Sequence, residues 1–327
     1  MNNGFFGFPS AIGISNLLEI KEFDVSGVYV IPPMAKQISI MVIGAGAGGG
    51  GGGRRAAGTA VFGGGGGAGG ITNFYRFTVD QLYGEGTSSY PFNLESKNNL
   101  SLTIGIGAGG TGGLGATSND GNGSAGSIGG ATFVTVNNAQ GYLIYCIHPA
   151  STSAGSGGTN SAGTAGSATQ YPVFGLFSPG THGAGVAGNS GTGSSVTVQG
   201  PHTNGGAGGG GVNTSNTAGT GGSINASSTG GQAILNPDYV RNATIIAGGT
   251  ANTATPPRNS YLTSVLGTYS GGLGGAGGGG GASTSANNGG NGYRGGGGGG
   301  GGGARNGITT GNGGDGGNGY VVIAAYG

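Results

Sequence analysis

Apolar and polar residues alternate over short windows, and long runs with no side chains separate them. The windows are "GVYVI" (27–31), "QISIMVI" (37–43), "FYRFTV" (74–79), "LSLTIGIG" (100–107), "ATFVTV" (131–136), "YLIYCI" (142–147) and "YVVIAAY" (320–326). Each is rich in β-branched or aromatic residues and bounded by Gly, Pro or Asn, the pattern of strands in a small sheet or sandwich. "IPPM" at 31–34 predicts a turn between the first two, with its prolines outside the ladder. Helical periodicity is confined to two short windows, around Ser15–Glu22 and Val79–Tyr83.

Between the strands lie glycine tracts at 44–53, 63–70, 105–115, 205–211, 271–281, 289–303 and 311–319. They are not collagen, which needs glycine at every third position and abundant proline, whereas this chain has 11 prolines and unbroken glycine runs. An α-helix is excluded because each glycine costs about 1 kcal/mol relative to alanine. Ordering a glycine backbone costs about 1–2 kcal/mol, so an ordered tract must recover that elsewhere.

A polyproline II helix offers the means. It has three residues per turn and no internal hydrogen bonds, so its N–H and C=O groups point sideways. Neighbouring helices satisfy those groups only where the axes come close, which glycine alone permits, and Cα–H···O contacts add small increments. Tracts of 9 to 15 residues would be roughly 28–47 Å long. Ala68, Ala108 and Ala276 fit an outward face or a slightly wider spacing. The expected fold is therefore mostly β with polyproline II: a small antiparallel β-sheet or sandwich plus a packed bundle of polyglycine II helices, with almost no α-helix.

Composition supports a backbone-held scaffold. Of 327 residues 91 are glycine and only 6% are charged, against about a quarter in ordinary domains. No Lys, Arg, Asp or Glu occurs between Asp120 and Asp238. Disordered chains combine few apolar residues with high net charge, and here the net charge is +1. The same balance gives no electrostatic case for nucleic acid or an anionic membrane. No apolar run approaches the ~20 residues of a membrane span. The start of the chain lacks a basic region and is broken by Gly7, Pro9 and Gly13, so it does not read as a signal peptide. Arg54, Arg55, Arg294 and Arg305 abut tracts, where they either cap free carbonyls or supply solubilising charge.

Chemistry-bearing motifs do not survive scrutiny. Gly44, Gly46 and Gly49 fit G-x-G-x-x-G behind a strand, but 48–53 is all glycine and cannot open the helix a dinucleotide site requires, and after Asp24 the next acidic residue is Asp80. His148, His182 and His202 lie far apart with no acidic neighbour, and Cys146 is the sole cysteine, so metal-ligand spacing is missing. Cys146 in "YLIYCI" reads as a small buried hydrophobe. The expectation is a protein without enzymatic activity, cofactor or metal.

The series "GVYVIPPMAKQISIMVIGAGAGGGGG", "GGGGGAGG", "LSLTIGIGAGGTGG", "GGATFVTV" and "GGDGGNGYVVIAAY" resembles the glycine-rich domain of tailed-bacteriophage fibre and virion proteins. The likeness runs from about Ser26 to Gly327, loosely over 137–270. It implies an opening hairpin leading to the poly-glycine tract, middle repeats, and a closing strand. The packed glycine layer is also similar to that of phage tail-fibre tip adhesins, which bind bacterial surface receptors through loops joining the glycine helices. This chain departs from them in carrying strands before and after its glycine region.

What the resemblance implies is a non-enzymatic virion protein, a tail fibre or fibre-tip adhesin that presents loops for host attachment. The alternatives are a capsid or tail decoration protein, an extracellular glycine-rich structural protein, and an ice-binding protein. Residues 1–25 would form a docking segment and 26–327 the glycine-rich domain, with strands within 27–147 and 320–326 framing the bundle and variable loops within 150–270. Aromatic-bearing interruptions at 90–99, 170–183 and 255–269 make Tyr171, Phe174, Phe177, His182, Tyr261 and Tyr269 the candidate receptor contacts, since aromatics give large contact area at small entropic cost. Packing over the bundle ends as local cores is the other role open to them. Phe5, Phe6, Phe8, Leu17 and Leu18 are the docking candidates, in a segment that enters a partner subunit, exchanges with an identical chain, or tucks back onto the sandwich. The expected partners are other virion subunits, a bacterial receptor (protein or glycan) and further copies of the chain.

Overall fold

The alternating windows become strands. A computed structural model describes residues 17–83, 100–136, 142–146, 154–166, 188–198, 203, 205–226 and 274–327. In chain order the elements are β1 (Leu17–Phe23), β2 (Gly27–Val30), β3 (Gln37–Ile43), β4 (Arg54–Arg55), β5 (Thr72–Thr78), α1 (Val79–Tyr83), β6 (Ser101–Gly105), β7 (Thr132–Val136), β8 (Tyr142–Cys146), β9 (Val196–Val198), β10 (Ile224–Ala226), β11 (Ala304–Arg305) and β12 (Tyr320–Tyr326). Two four-stranded antiparallel sheets form, in the orders β1-β12-β3-β5 and β2-β6-β7-β8. Between them lies one core, to which Ile38, Ile40, Val42, Val321 and Ile323 contribute from the first sheet, and Tyr29, Leu102, Ile104, Val134 and Val136 from the second. Each fully buried Ile, Leu or Val is worth about 1.5–3 kcal/mol. β3 and β12 are buried on both faces, and Met41, Ile43, Tyr320 and Val322 make a second cluster with Ile20 on the outer side.

Two sequence expectations are corrected here. The window around Ser15–Glu22 is not helical where it is described, since Leu17–Phe23 is an edge strand paired with β12 from Leu17↔Tyr326 to Phe23↔Val321. A partner some 300 residues away in sequence overrides the local pattern, which carried no information about it. The first two predicted strands are also not a hairpin. β2 pairs with β6 and β3 with β12 and β5, so "IPPM" carries the chain from one sheet to the other. Val79–Tyr83 is a helix, as its pattern predicts.

Glycine-rich segments that are neither helix nor strand run out from the sandwich and back, between β3 and β5, between β6 and β7, and from β8 onward to β12. They pair with one another through backbone hydrogen bonds, and amides three residues apart face the same neighbour. Gly46, Gly49 and Gly52 donate to the carbonyls of Gly317, Gly314 and Gly311 at 2.9–3.0 Å. Ala47, Gly50 and Gly53 donate to Ala68, Gly65 and Phe62, while Gly48, Gly51 and Arg54 donate to Ser127, Ser124 and Gly121. The carbonyls of the same stretch accept from Gly110, Gly113 and Ala116, from Gly155 and Gly158, and from Gly298, Gly301 and Ala304. Segment 44–54 thus has six hydrogen-bonded neighbours.

Ordered by these bonds, the described segments fall into four layers of three, four, four and three. The first holds 285–292, 274–281 and 217–224; the second 311–319, 296–305, 205–212 and 191–196. The third holds 106–117, 44–54, 61–71 and 188–190, and the fourth 121–131, 154–159 and 161–166. Close approach enforces the composition. A methyl group at Gly46, Gly49 or Gly52 would enter the carbonyl of Gly296, Gly299 or Gly302, and one at Gly50 that of Ser156.

The predicted tract 289–303 is two segments, because the chain reverses at Tyr293–Gly295, where Arg294 (φ 42°) and Gly295 (φ 84°) both adopt left-handed backbone. Of the two roles open to the alanines, Ala108 takes the outward face, whereas Ala68 and Ala276 are buried and so do not, and Ala276 sits in a small apolar cluster with Val196, Ala207 and Ile224. At the rim, side chains replace absent neighbours. Ser124 and Ser127 Oγ accept the amides of Leu114 and Thr111, each at 2.7 Å. Asn312, Asp315 and Asn318 Oδ1 accept those of Gly115, Gly112 and Gly109 at 2.8–2.9 Å. Their three-residue spacing repeats the period of the backbone pairing.

The end away from the sandwich is closed by short turns tied by arginine. Arg55 Nη1 donates to the carbonyls of Arg54 and Gly121, each at 2.6 Å, and its other nitrogens to Asn160 and Asn122. Arg305 donates to the carbonyls of Ala56, Thr59 and Asn213, and Arg54 to that of Thr117. Both Arg55 and Arg305 are buried, and desolvation pulls the Arg305 guanidinium below its ordinary value. Of the two roles open to these arginines, carbonyl capping is the one adopted. Arg294 is the exception, and its place is at the other end.

Candidate functional site

Tyr171, Phe174, Phe177, His182, Tyr261, Tyr269, Phe5, Phe6 and Phe8 all lie outside the described residues. Leu17 and Leu18 are in β1, paired with β12 of the same chain, and Leu18 is 42% exposed.

A site that the sequence reading did not single out lies where the sandwich meets the glycine layers. A groove of about 560 Å³ opens there. One wall is the β1–β2 turn, with exposed Asp24 and Val25. The opposite wall is the reversal at Tyr293 and Arg294, with Asn291 just before it. The floor is the last stretch of 311–319 beside Gly109 and Thr111. Asp315 and Asn318 rise from that floor, and the amides of Gly112 and Gly109 hold their Oδ1 atoms. Asp315 in turn donates its own amide to Asn291 Oδ1 at 2.9 Å. Asn291, Asp315 and Asn318 are therefore held in place by backbone amides. Their signal was in the sequence: "NGGDGGN" at 312–318 and "NGGN" at 288–291 place polar residues at the three-residue interval of the pairing.

The Arg294 wall is anchored to the sandwich. Its guanidinium lies 3.9 Å from the Tyr320 ring centroid and 5.3 Å from that of Tyr293, and Nη2 is 3.7 Å from a Glu22 carboxylate oxygen. Tyr320 Oη donates to the same Glu22 oxygen. Burial, with the Glu22 hydrogen bond behind it, pushes the Tyr320 phenol well above its ordinary value of 10.0, although Arg294 opposes the shift. Tyr29 is raised by burial and by Glu19.

A raised tyrosine makes the folded chain hold its proton after the unfolded chain has lost it. Stability is then full below pH ~10 and falls as pH rises above that. We expect alkaline unfolding to set in above pH ~10, with a shallower stability decline in Tyr320→Phe than in the wild-type chain. Equilibrium urea unfolding at a series of pH values checks it, and equal slopes would remove Tyr320 from the account.

No protein-family model matches the chain, and no curated protein matches it. Among the described residues, no group of three or more His, Cys, Asp or Glu is placed to hold a metal ion, and no helix is long and apolar enough to cross a membrane.

Proposed function

We propose that the glycine segments are a polyglycine II bundle, and that the chain is a non-enzymatic structural protein of a tailed-bacteriophage virion. In this reading it is a tail fibre or fibre-tip adhesin whose rigid bundle holds loops for attachment to a bacterial surface. The observation that carries the reading is the threefold periodicity of the backbone pairing, with segment 44–54 bonded to six neighbours. A polyproline II helix has three residues per turn and directs every amide sideways, so each face meets one neighbour at every third residue. Such a bundle is stiff without a large apolar core, and it leaves side chains free to vary in the connections. The ordered strand and tract blocks that resemble phage glycine-rich domains supply the biological half of the proposal.

The reading assigns receptor contact to Tyr171, Phe174, Phe177, His182, Tyr261 and Tyr269, and docking to the segment that begins with Phe5, Phe6 and Phe8. Two measurements test it. The purified chain is expected to block phage adsorption to the host, and an antibody against it to label fibre tips on intact particles. The triple variant Tyr171→Ala, Phe174→Ala, Phe177→Ala should lose most of the blocking while remaining folded. Label spread over the capsid, with no blocking by the free chain, would favour a decoration protein and overturn the adhesin reading.

A further inference from the structure

We propose that the groove between the β1–β2 turn and the Tyr293–Arg294 reversal is a binding site for a neutral saccharide. The proposal deepens the attachment reading, and rests on it for where the saccharide is met; the binding itself belongs to the isolated chain.

Volume comes first. About 560 Å³ lies within the range of small-ligand sites, which is roughly 300–1,000 Å³. Preorganisation is the second point. Asp315 and Asn318 each spend Oδ1 on a backbone amide of the adjoining segment, and Asn291 spends its Oδ1 on the amide of Asp315. These bonds leave Asp315 Oδ2 as an acceptor and the two Nδ2 groups as donors on side chains that are already oriented. A ligand bound there pays little side-chain ordering cost.

Chemistry selects the ligand class. Carboxylate acceptors and amide donors side by side in one lining suit hydroxyl groups, which both donate and accept. Asp24 and Asp315 place two carboxylates in the groove against one guanidinium, and Glu22 already shares that guanidinium, so phosphate, sulfate and acidic sugars are repelled. Val25 and the Tyr293 ring are the only sizeable apolar side chains of the lining, too little surface for a lipid tail. A compact cation meets Arg294 in the same space.

The experiment uses the full chain and a panel of neutral monosaccharides and disaccharides of glucose, galactose, rhamnose and N-acetylglucosamine. Saturation-transfer NMR reads binding, and amide shifts at Gly109, Gly316 and Gly317 locate it. At least one member is expected to bind and to shift those amides. Val25→Trp and Thr111→Trp add bulk at exposed lining positions and leave the three anchoring bonds intact, Thr111→Trp giving up only the hydroxyl contact with Ser127, and each should weaken binding at least about tenfold. Four results would overturn the proposal: no binding by any panel member, shifts confined to other residues, undiminished binding by both tryptophan variants, or the same amides responding instead to spermine or inorganic phosphate. Cell adsorption measured in parallel separates the two claims. A chain that binds saccharide but does not block adsorption overturns the attachment reading alone, and a chain that blocks adsorption without binding saccharide overturns the groove alone.

Discussion

Gly300→Ala is expected to destabilise the protein by about 3 kcal/mol or more, at the top of the range for overpacked sites. In an exposed helix interior the same change would stabilise, by removing glycine's excess freedom in the unfolded chain. Here the added methyl would be driven into the Gly64 carbonyl and would crowd the Gly209 amide nitrogen at 2.8 Å. Both are backbone, so neither can turn aside as a flexible side chain does. Gly300 also donates to Ala207 and accepts from Gly278, so displacing it strains segments on several sides. Gly191→Ala provides the control, since a methyl there meets nothing within 4 Å. It should change stability by less than about 0.5 kcal/mol. Urea unfolding of the two variants checks the pair, and equal effects would mean that close approach does not set the glycine content.

Arg305→Ala should cost about 1–3 kcal/mol, because the buried guanidinium bonds the carbonyls of Ala56, Thr59 and Asn213, and without it Ala56 and Asn213 keep only the turn amides of Thr59 and Asn216. Those carbonyls belong to two different turns, so the loss loosens the closed end rather than one loop. Lysine should rescue less than half of it. An ammonium is a single point donor, and the guanidinium fork reaches carbonyls on both turns. Full rescue by Arg305→Lys would show that charge, not the fork, is what the site uses. Ordinary thermal unfolding is sufficient to read it.

Legibility from sequence tracked how local each determinant is. β3, β7 and β12 were readable because their β-branched residues fill both or alternate faces of a sheet, and the pattern needs no knowledge of partners. β1 was not, since "LLEIKEF" is an edge strand with Lys21 and Glu22 exposed, and only its pairing with β12 distinguishes it from a short helix. The separation of β2 from β3 was hidden for the same reason: which sheet a strand joins depends on β6 and β12, far along the chain. β9 and β10, three residues each, were too short to show a period.

Residue type alone does not reveal the groove; the interval between its residues does. Asn288, Asn291, Asn312, Asp315 and Asn318 look like linker composition until the three-residue period of the neighbouring backbone is laid beside them. In sequence Arg294 looks like Arg54, Arg55 and Arg305, because all four adjoin glycine tracts. Its partners Glu22 and Tyr320 come from opposite ends of the chain and could not be foreseen.

Net gain per backbone hydrogen bond, about 0.5–1.5 kcal/mol, is comparable to the cost of ordering a glycine, about 1–2 kcal/mol. The glycine layers therefore hold only if nearly every interior amide is paired, which makes that pairing the quantity to measure. The direct test is NMR detection of couplings across hydrogen bonds in isotope-labelled protein. The account predicts couplings from the amides of Gly46, Gly49 and Gly52 to the carbonyl carbons of Gly317, Gly314 and Gly311, with slow hydrogen exchange at all three. Amides that exchange at unprotected rates, or couplings that advance by two residues instead of three, would contradict it.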